Sequence, residues 1–208
     1  MFPIRLSPRL SEVSNSADDF LESMGDDNPL IHDCKYYSLD DLTEIPKDFK
    51  LKILHINIHS IPSKLTELKN LLFTLDKAGL QIDILLLCET FLTDLNVQTC
   101  MLPNYQLEES HRSRRIGGGV AIYVNSNIRY KSRKDLAIFE EGFFESCFIE
   151  VKCKSRSVVI GEIYRVPNTN ENDFIEKYDR IVSKVNAENK GLVIGTDQNL
   201  DLLKLHQH

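Results

Sequence analysis

The sequence has no C-x-x-C pair, and its five cysteines are odd in number. Cysteine pairs at short spacing are typical of disulfide frameworks and of structural zinc sites, so the pattern argues against both. A reducing, intracellular environment is therefore the expected setting. The cysteines are Cys34, Cys88, Cys100, Cys147 and Cys153.

Long apolar runs are also absent. No stretch approaches the roughly 18 to 20 consecutive apolar residues that cross a bilayer. The N-terminal segment MFPIRLSPRLSEVSNSADDF has no apolar core of the kind that secretion signals contain. The sequence therefore predicts no secretion signal, no membrane span and no membrane partner.

The chain has no excess of basic residues, and its formal net charge is −6. Residues 1–50 contain 5 Lys/Arg against 11 Asp/Glu, whereas residues 51–208 contain 20 of each. Because overall charge bears on association and not on fold, a balanced body can still present a basic face to phosphates. The distribution predicts an acidic, mobile leader at residues 1–50 and one folded domain at residues 51–208.

Apolar residues make up 42% of the chain, which is enough for one substantial core. One helix is predicted from Ser60 and Pro62 to Gly79, and a second after Asn170, which can cap it. Strand-like runs alternate with these helices, which favours an α/β sandwich of mixed or antiparallel sheets. The runs are KILHINI (52–58), DILLLCE (83–89), GGGVAIYV (117–124), FFESCFIEV (143–151), SVVIGEIY (157–164) and GLVIGTD (191–197).

Polar side chains follow these apolar runs at Asn57, Glu89, Tyr164, and Asp197 with Asn199. Side chains at strand ends can converge on one crevice and stay preorganised by the core beneath. Carboxylates and amides are oxygen ligands that a hard divalent ion accepts, and an Asp beside an Asn can activate water and stabilise a phosphorane. Residues placed in this way are of the types that a metal-assisted hydrolytic site uses.

Each of these residues also has a plainer interpretation. Glu89 can be a strand-end acid that faces water, and Asn57 a turn residue that caps the next helix. Asp197 and Asn199 can form an Asx turn. Tyr164 can be a packing residue with a polar tip. Taken singly, the residues leave both interpretations open.

A basic run precedes the glycines at 117–119 and consists of Arg112, Arg114 and Arg115. Such a run can hold a phosphate backbone, although charge runs are more often solvated faces. The three glycines do not form a nucleotide-binding fingerprint, because a strand and not a helix follows them. We predict that the arginines contact DNA.

In their order along the chain, the segments LKILHINIHSI, ILLLCETFL, GGGVAIYV, FFESCFIEV, IGEIYRVPN and VIGTDQNLDLL resemble the endonuclease domain of LINE-type (non-LTR) retrotransposons. That domain belongs to the endonuclease/exonuclease/phosphatase superfamily. The resemblance begins near Leu51 and continues to the end. It implies a four-layered α/β sandwich of two mixed sheets flanked by helices, and DNA nicking with Mg²⁺ (or Mn²⁺). It also implies a reverse transcriptase region in the same polyprotein and a nuclear location during retrotransposition.

The resemblance also implies roles for single residues. Asn57 and Glu89 match the metal-site Asn and Glu, and Tyr164 matches the tyrosine of the family's Y-x-x-P-N segment. Asn168 matches the phosphate-contacting Asn of that segment. The remaining match is the G-D-x-N motif, whose Asp and Asn correspond to Asp197 and Asn199.

Several departures weaken the implied activity. Thr196 is inserted before Asp197, and His59 stands where relatives commonly have Arg. No segment matches the family's C-terminal S-D-H, whose histidine binds the scissile phosphate, and His206 and His208 come too early to replace it. We therefore expect a domain whose last strands are missing. The alternative to an active endonuclease is a truncated, non-catalytic relic with at most weak DNA binding, and enzymatic activity is left undecided.

Overall fold

The computed structural model describes residues 4–6, 35–37, 41–42, 45, 47, 50–114, 117–153 and 156–200. The chain divides into two units, of which the first comprises Met1–Lys50 with Leu75–Leu80 and the second Leu51–Thr74 with Gln81–His208. In the first unit, strand β1 (Ile4–Leu6) pairs antiparallel with β2 (Lys35–Tyr37). The remaining strands belong to the second unit and form two sheets.

The first of these sheets has four strands in the order β3-β4-β6-β5. The strands are β3 (Ile53–Asn57), β4 (Ile84–Cys88), β5 (Tyr105–Ser110) and β6 (Val120–Asn125). β3 and β4 run parallel, whereas β6 is antiparallel to both β4 and β5. The sheet is therefore mixed.

A crossover helix makes the parallel pair possible, because parallel neighbours cannot be joined by a tight hairpin. Helix α1 (Ile61–Lys77) provides this connection between β3 and β4, and it buries Ile61 and Leu68. Gly79 follows its end with φ +79°, a left-handed conformation that commonly terminates a helix. A 3₁₀ turn at Val97–Cys100 lies between β4 and β5.

The second sheet has five strands, four of them in the order β11-β10-β9-β7, with β8 paired to β9. The strands are β7 (Tyr130–Ser132), β8 (Phe139–Glu140), β9 (Phe144–Cys153), β10 (Arg156–Arg165) and β11 (Gly191–Asp197). β10 and β11 are parallel, and the other pairs are antiparallel. This sheet is also mixed.

Helix α2 (Glu171–Ala187) connects β10 to β11. Its N-cap is Asn170, whose Oδ1 accepts a hydrogen bond from the backbone N–H of Asp173 at 3.1 Å, as the sequence predicts. The apolar face of α2 packs on the outer face of the second sheet. The buried residues of this contact are Leu136, Phe144, Phe148, Val159, Ile163, Phe174, Ile181 and Val185.

The two sheets face each other across a common core. Alternate side chains of β4 and β6 meet those of β9 and β10, since successive residues of a strand point to opposite faces. The buried residues are Ile84, Leu86, Cys88, Val120, Ile122, Val124, Cys147, Ile149, Val151, Ile160 and Tyr164. The predicted α/β fold of two mixed sheets with helices is confirmed. Among the described residues, neither α1 nor α2 has the length and the continuous apolar sequence that a bilayer crossing requires.

Arg133 lies at the centre of an ion-pair network, with a side chain that is 3% exposed. Its guanidinium donates to the carboxylates of Asp135 at 2.8 and 2.9 Å, of Glu150 at 2.9 Å and of Glu188 at 2.6 and 3.0 Å. Lys190 also contacts Glu150 and Glu188, each at 2.7 Å. The network ties the end of α2 to the second sheet.

Replacing Arg133 with Met is expected to lower the free energy of unfolding by about 2 kcal/mol, because charged hydrogen bonds are lost while the partly exposed acids regain water. Urea denaturation would measure the change. Arg129 is exposed and provides the matched control, Arg129→Met, which should change stability little. Equal stability of both variants would show that the network contributes nothing.

Candidate functional site

Three of the predicted site residues meet at the carboxyl ends of β3, β4 and β11. Asn57 donates from its Nδ2 atom to Glu89 Oε1 at 2.8 Å and to Asp197 Oδ2 at 2.8 Å. Asn57 and Glu89 come from the first sheet, whereas Asp197 comes from the second. We call Asn57, Glu89 and Asp197 the strand-end cluster. The sequence predicted all three, and the fold brings them into direct contact.

The loops that leave β3 and β4 are hydrogen-bonded to each other. The backbone N–H of Ser60 donates to the carbonyl of Glu89 at 2.8 Å, and that of Ile61 donates to the carbonyl of Thr90 at 2.9 Å. The position of Glu89 is therefore fixed by backbone contacts on both strands. Such support from a rigid scaffold is what a preorganised site requires.

Left-handed backbone is concentrated in the loops at these strand ends. Non-glycine residues rarely adopt positive φ, and strained positions of this kind gather at functional sites. The loops after β3, β4, β10 and β11 each contain at least one. These residues are His59 (φ 47°), Ser60 (φ 90°), Glu89 (φ 51°), Phe91 (φ 53°), Asn168 (φ 61°) and Asn199 (φ 48°).

Tyr164 lies beside the strand-end cluster, since it is the register partner of Asp197 in the parallel pair β10–β11. Its side chain is buried, with a relative exposure of 5%. Burial raises the pKa of the Tyr164 phenol, and the negative charges of Glu89 and Asp197 raise it further. The phenol therefore stays protonated, and it is available as a hydrogen-bond donor.

The strand-end cluster has the donor set of a hard-metal site. Glu89 and Asp197 provide carboxylate oxygens that converge on one point, and Asn57 provides an amide. The Nδ2–H groups of Asn57 place partial positive charge between the Glu89 and Asp197 carboxylates. Rotation of the Asn57 side-chain amide by half a turn would present its oxygen to an ion instead. Mg²⁺ and Mn²⁺ prefer such ligands, so these residues fit the divalent ion that the sequence predicts.

His59 contacts the carboxylate oxygen of Glu89 that Asn57 does not bind. Its Nδ1 atom lies 2.8 Å from Glu89 Oε2, and its ring packs against Phe91 with centroids 5.2 Å apart. The imidazole is 75% exposed, so it forms the solvent side of the site. His59 is one of the departures noted in the sequence, and here it orients a residue of the strand-end cluster.

Two other predicted residues lie near the site without joining the cluster. Asn199 donates its side-chain Nδ2 to the backbone carbonyl of Arg165 at 2.8 Å. This bond ties the end of β11 to the end of β10. Asn168 is exposed in the turn after β10. Phosphate contacts by Asn168 and Asn199 stay predictions.

Arg112 is held inside the protein by an ion pair. Its Nε atom donates to Glu145 Oε1, and the Arg112 side chain is 10% exposed while that of Glu145 is fully buried. Gly119 donates its backbone N–H to the other Glu145 oxygen at 2.6 Å. A Cβ on Gly118 would lie 2.2 Å from the Arg112 guanidinium, so only glycine fits there. The Arg112–Glu145 pair therefore contacts Gly118 and Gly119 directly.

The other arginines of the basic run differ from Arg112. Arg114 is exposed, and its backbone N–H donates to Glu141 Oε1 at 3.0 Å. Arg115 lies outside the described residues. DNA contact by these three arginines stays a prediction, and within the run the exposed Arg114 is better placed for it than the paired Arg112.

Arg165 is a structural residue of the site that sequence reasoning missed. Its side chain is 2% exposed, and its guanidinium donates to the backbone carbonyls of Gln198 at 3.1 Å, of Asn199 at 2.8 Å and of Thr169. Arg165 thus holds the segments that follow β10 and β11. The signal in the sequence is an arginine that directly follows the strand-like run 157–164, a position where a buried charge requires partners. Glu145, between Phe144 and Ser146 in β9, gives a similar signal.

No protein-family model matches the sequence, and no curated protein matches it. Solved structures match the fold at low identity. The endonuclease domain of TRAS1, a telomere-specific non-LTR retrotransposon, has 14% identity over 74% of this chain and 61% of its own, with a TM-score of 0.53. A humanized D. rerio TDP2 has 14% identity over 76% and 69%, with a TM-score of 0.51.

A third match is a mannosyl-6-phosphatase from Bacteroides thetaiotaomicron, with 13% identity over 74% of this chain and 67% of its own, and a TM-score of 0.52. These neighbours have the endonuclease/exonuclease/phosphatase fold, and at such identities the likeness shows the fold alone. The chain spans 61% of the length of the TRAS1 endonuclease domain.

Proposed function

We propose that this chain is a divalent-metal-dependent phosphodiesterase module that nicks DNA, of the kind that LINE-type retrotransposons encode. The observation that carries the proposal is the strand-end cluster, in which Asn57 joins Glu89 and Asp197 through bonds of 2.8 Å. The fold supports the proposal, because hydrolytic enzymes share it. We assign the activity to residues 51–208 and regard residues 1–50 as a separate acidic segment.

Asn57 and Glu89 would hold Mg²⁺ or Mn²⁺ in this mechanism, and Asp197 lies beside them. When bound, such an ion neutralises charge on the phosphate and stabilises the leaving oxygen. The three residues are supported from both sheets, so the geometry exists before substrate arrives. His59 keeps Glu89 in place through the contact of 2.8 Å.

The protein's own groups supply the remaining steps. Asp197 accepts the proton of the attacking water as general base, since its carboxylate lies in the strand-end cluster, 2.8 Å from the Asn57 amide. Tyr164 stays protonated, and it donates a hydrogen bond to a non-bridging phosphate oxygen. Asn168 and Asn199 contribute amides from the adjacent loops. The water oxygen bonds to phosphorus while its proton moves to Asp197, and the P–O bond to the leaving group breaks. The leaving oxygen keeps the electron pair of that bond and takes a proton from solvent.

DNA is the substrate that the sequence resemblance favours. The structures of similar fold include the TRAS1 endonuclease domain and a D. rerio TDP2 complexed with a single-strand DNA product. A mannosyl-6-phosphatase shares the fold, so the fold does not distinguish DNA from a sugar phosphate. We assign DNA from the ordered motifs and from the arginine run, in which Arg114 is exposed. We further expect a reverse transcriptase region in the same polyprotein and action in the nucleus.

Conversion of supercoiled plasmid to open circles by the full chain tests this proposal. We expect nicking with Mg²⁺ or Mn²⁺ and none with a chelator. DNA binding without any nicking, in either metal, would contradict the proposal and favour a non-catalytic module. Parallel incubation with a hexose 6-phosphate distinguishes a phosphatase from a nuclease. Release of inorganic phosphate without nicking would show that the substrate is a sugar phosphate and not DNA.

Tyr164→Phe is expected to lower the nicking rate by about 10²-fold, the usual loss when one preorganised donor to a developing oxyanion is removed. The ring stays in the core, so thermal stability should change little. Tyr178→Phe, on α2, is the matched control and should keep the wild-type rate. If Tyr164→Phe nicks at the wild-type rate, the phenol has no catalytic role.

A further inference from the structure

A second polar cluster lies between the two sheets, one pleat beneath the strand-end cluster. It consists of His55 from β3, Cys88 from β4 and Glu162 from β10, and we call it the inter-sheet triad. One side-chain N, S or O atom of each residue lies within 4.8 Å of the other two. The metal-dependent mechanism above makes no use of these residues.

Glu162 is the unusual member, because its carboxylate is fully buried in the middle of an apolar strand. One oxygen, Oε1, lies 3.0 Å from His55 Nε2. The other, Oε2, has no hydrogen-bond partner among the residues that the structure describes. An unpartnered buried carboxylate oxygen is costly, so its presence points to a ligand.

The chemistry of the inter-sheet triad differs from that of the strand-end cluster. Imidazole, thiolate and carboxylate together form a ligand set for a zinc-class ion, whereas carboxylate and amide oxygens suit Mg²⁺. A dipositive ion would be neutralised by the thiolate of Cys88 and the carboxylate of Glu162. Neutral His55 adds no charge, so the loaded site has no net charge to bury.

The spacing of the inter-sheet triad also suits such an ion. Ligand atoms around tetrahedral zinc are separated by roughly 3.3 to 3.8 Å, as the usual Zn–N, Zn–O and Zn–S bond lengths require. The atoms of the triad are 3.0 Å apart between His55 and Glu162 and within 4.8 Å overall. Small side-chain rotations therefore reach zinc geometry. His55 is 34% exposed, which gives an ion a route from solvent and water access to the fourth position.

Gly195 lets two members of the inter-sheet triad, Glu162 and His55, pack directly against β11. A Cβ at this position would lie 2.4 Å from Glu162 Oε2 and 2.6 Å from the Cδ2 atom of His55. Gly195 has no positive φ, so the requirement for glycine here comes from the space and not from the backbone conformation. Any side chain here would overlap the Glu162 carboxylate and the His55 ring, and would displace them from the positions that form the triad.

We propose that His55, Cys88 and Glu162 bind one zinc-class ion, separately from the Mg²⁺ site of the strand-end cluster. The bound ion joins β3 and β4 of the first sheet to β10 of the second. It therefore acts as a cross-link between the sheets and stabilises the folded chain, since an ion that binds only the folded state raises its stability.

Titration of the full chain with Zn²⁺ and with Co²⁺ tests this inference. With excess Mg²⁺ present to occupy the strand-end cluster, we expect one tightly bound Zn²⁺ or Co²⁺ per chain, a higher midpoint of thermal unfolding, and the near-ultraviolet absorption of a cobalt–thiolate bond. Cys88→Ser should weaken binding at least about 100-fold, as loss of a ligand costs no less than loss of a supporting contact. Cys100→Ser is the matched control, because Cys100 is equally buried and lies outside the inter-sheet triad.

Two further variants locate the ion. Glu89→Gln should keep Zn²⁺ and Co²⁺ binding, and His206→Gln with His208→Gln should keep it too. Binding that survives Cys88→Ser, lacks the thiolate absorption, or disappears in Glu89→Gln would overturn the proposal. If Cys88→Ser does not fold, Glu162→Gln replaces it, since the amide keeps the shape of the carboxylate and removes its charge. The outcome does not depend on whether the chain nicks DNA.

Discussion

Asp197→Asn is expected to lower the rate of metal-dependent nicking by about 10² to 10⁴-fold, the range typical for loss of a general base. The amide keeps the shape of the carboxylate, and its oxygen can still accept the hydrogen bond from Asn57 that Asp197 accepts at 2.8 Å. It cannot accept a proton from water, and it removes one of the two negative charges of the strand-end cluster. The fold should therefore survive while the chemistry fails.

Single-turnover nicking of supercoiled plasmid at saturating Mg²⁺ measures this effect. Asp179→Asn is the matched control, because Asp179 is exposed on α2 and the change removes the same charge. Thermal unfolding of both variants shows whether each is folded. A folded Asp197→Asn chain that nicks as fast as the control would remove Asp197 from the mechanism.

Arg165→Met is expected to lower the free energy of unfolding by at least about 3 kcal/mol, because removing one partner of a buried hydrogen bond costs about 1 to 3 kcal/mol for each group left unpaired. The carbonyls of Gln198, Asn199 and Thr169 lose their donor in this variant. Methionine fills much of the space and still packs on Phe174, over which the guanidinium lies at 5.9 Å. The loss of stability therefore comes from missing hydrogen bonds more than from a cavity.

Urea denaturation of Arg165→Met and of Arg180→Met measures this difference. Arg180 is exposed on α2, so its replacement should change stability by no more than about 0.5 kcal/mol. Because Arg165 holds the segment directly after Asp197, nicking should fall as well, even at temperatures where the variant is folded. Equal stability of the two variants would mean that the three carbonyls form hydrogen bonds with water when Arg165 is absent. Arg165 would then not be needed to organise the segments after β10 and β11.

The main strands and both helices could be predicted because their apolar residues follow simple periods. The run at 83–89 contains the fully buried β4 (Ile84–Cys88), and the run at 191–197 coincides with β11. Asn170 marks the start of α2 because its side chain caps the helix. In each case the local pattern and the tertiary environment agree.

Three short or half-exposed strands of the second unit escaped prediction. β5 (Tyr105–Ser110) has the sequence YQLEES, and β6 is its one partner among the described strands, so its residues carry no clear alternation. β7 has three residues and β8 has two, and both depend on pairing with β9. Such elements are decided by their neighbours, because strand propensity depends strongly on context.

The strand-end cluster was predictable because Asn57, Glu89 and Asp197 each follow an apolar strand. The inter-sheet triad was not, because His55, Cys88 and Glu162 lie on three strands and have no short spacing in the sequence. The absence of C-x-x-C therefore excludes only zinc sites with local ligand pairs. The tertiary fold alone brings ligands from separate strands together.

The role of Arg112 was also beyond reach of the sequence. A basic run before three glycines suggests a phosphate contact, but Arg112 is paired with the buried Glu145 from a distant strand. That pairing depends on the packing of the two sheets, because Arg112 follows β5 of the first sheet and Glu145 lies in β9 of the second. Sequence patterns indicate charge, and they do not indicate which charges become paired.

The dependence of the initial nicking rate on Mg²⁺ concentration, compared between the wild-type chain and Glu89→Gln, is the most direct test of the strand-end cluster as a metal-dependent phosphodiesterase site. We predict a saturable increase for the wild type, and for Glu89→Gln a half-saturating Mg²⁺ concentration at least about tenfold higher, since a ligand charge is lost. Identical curves for the two chains, or nicking by either chain in a chelator, would contradict the account.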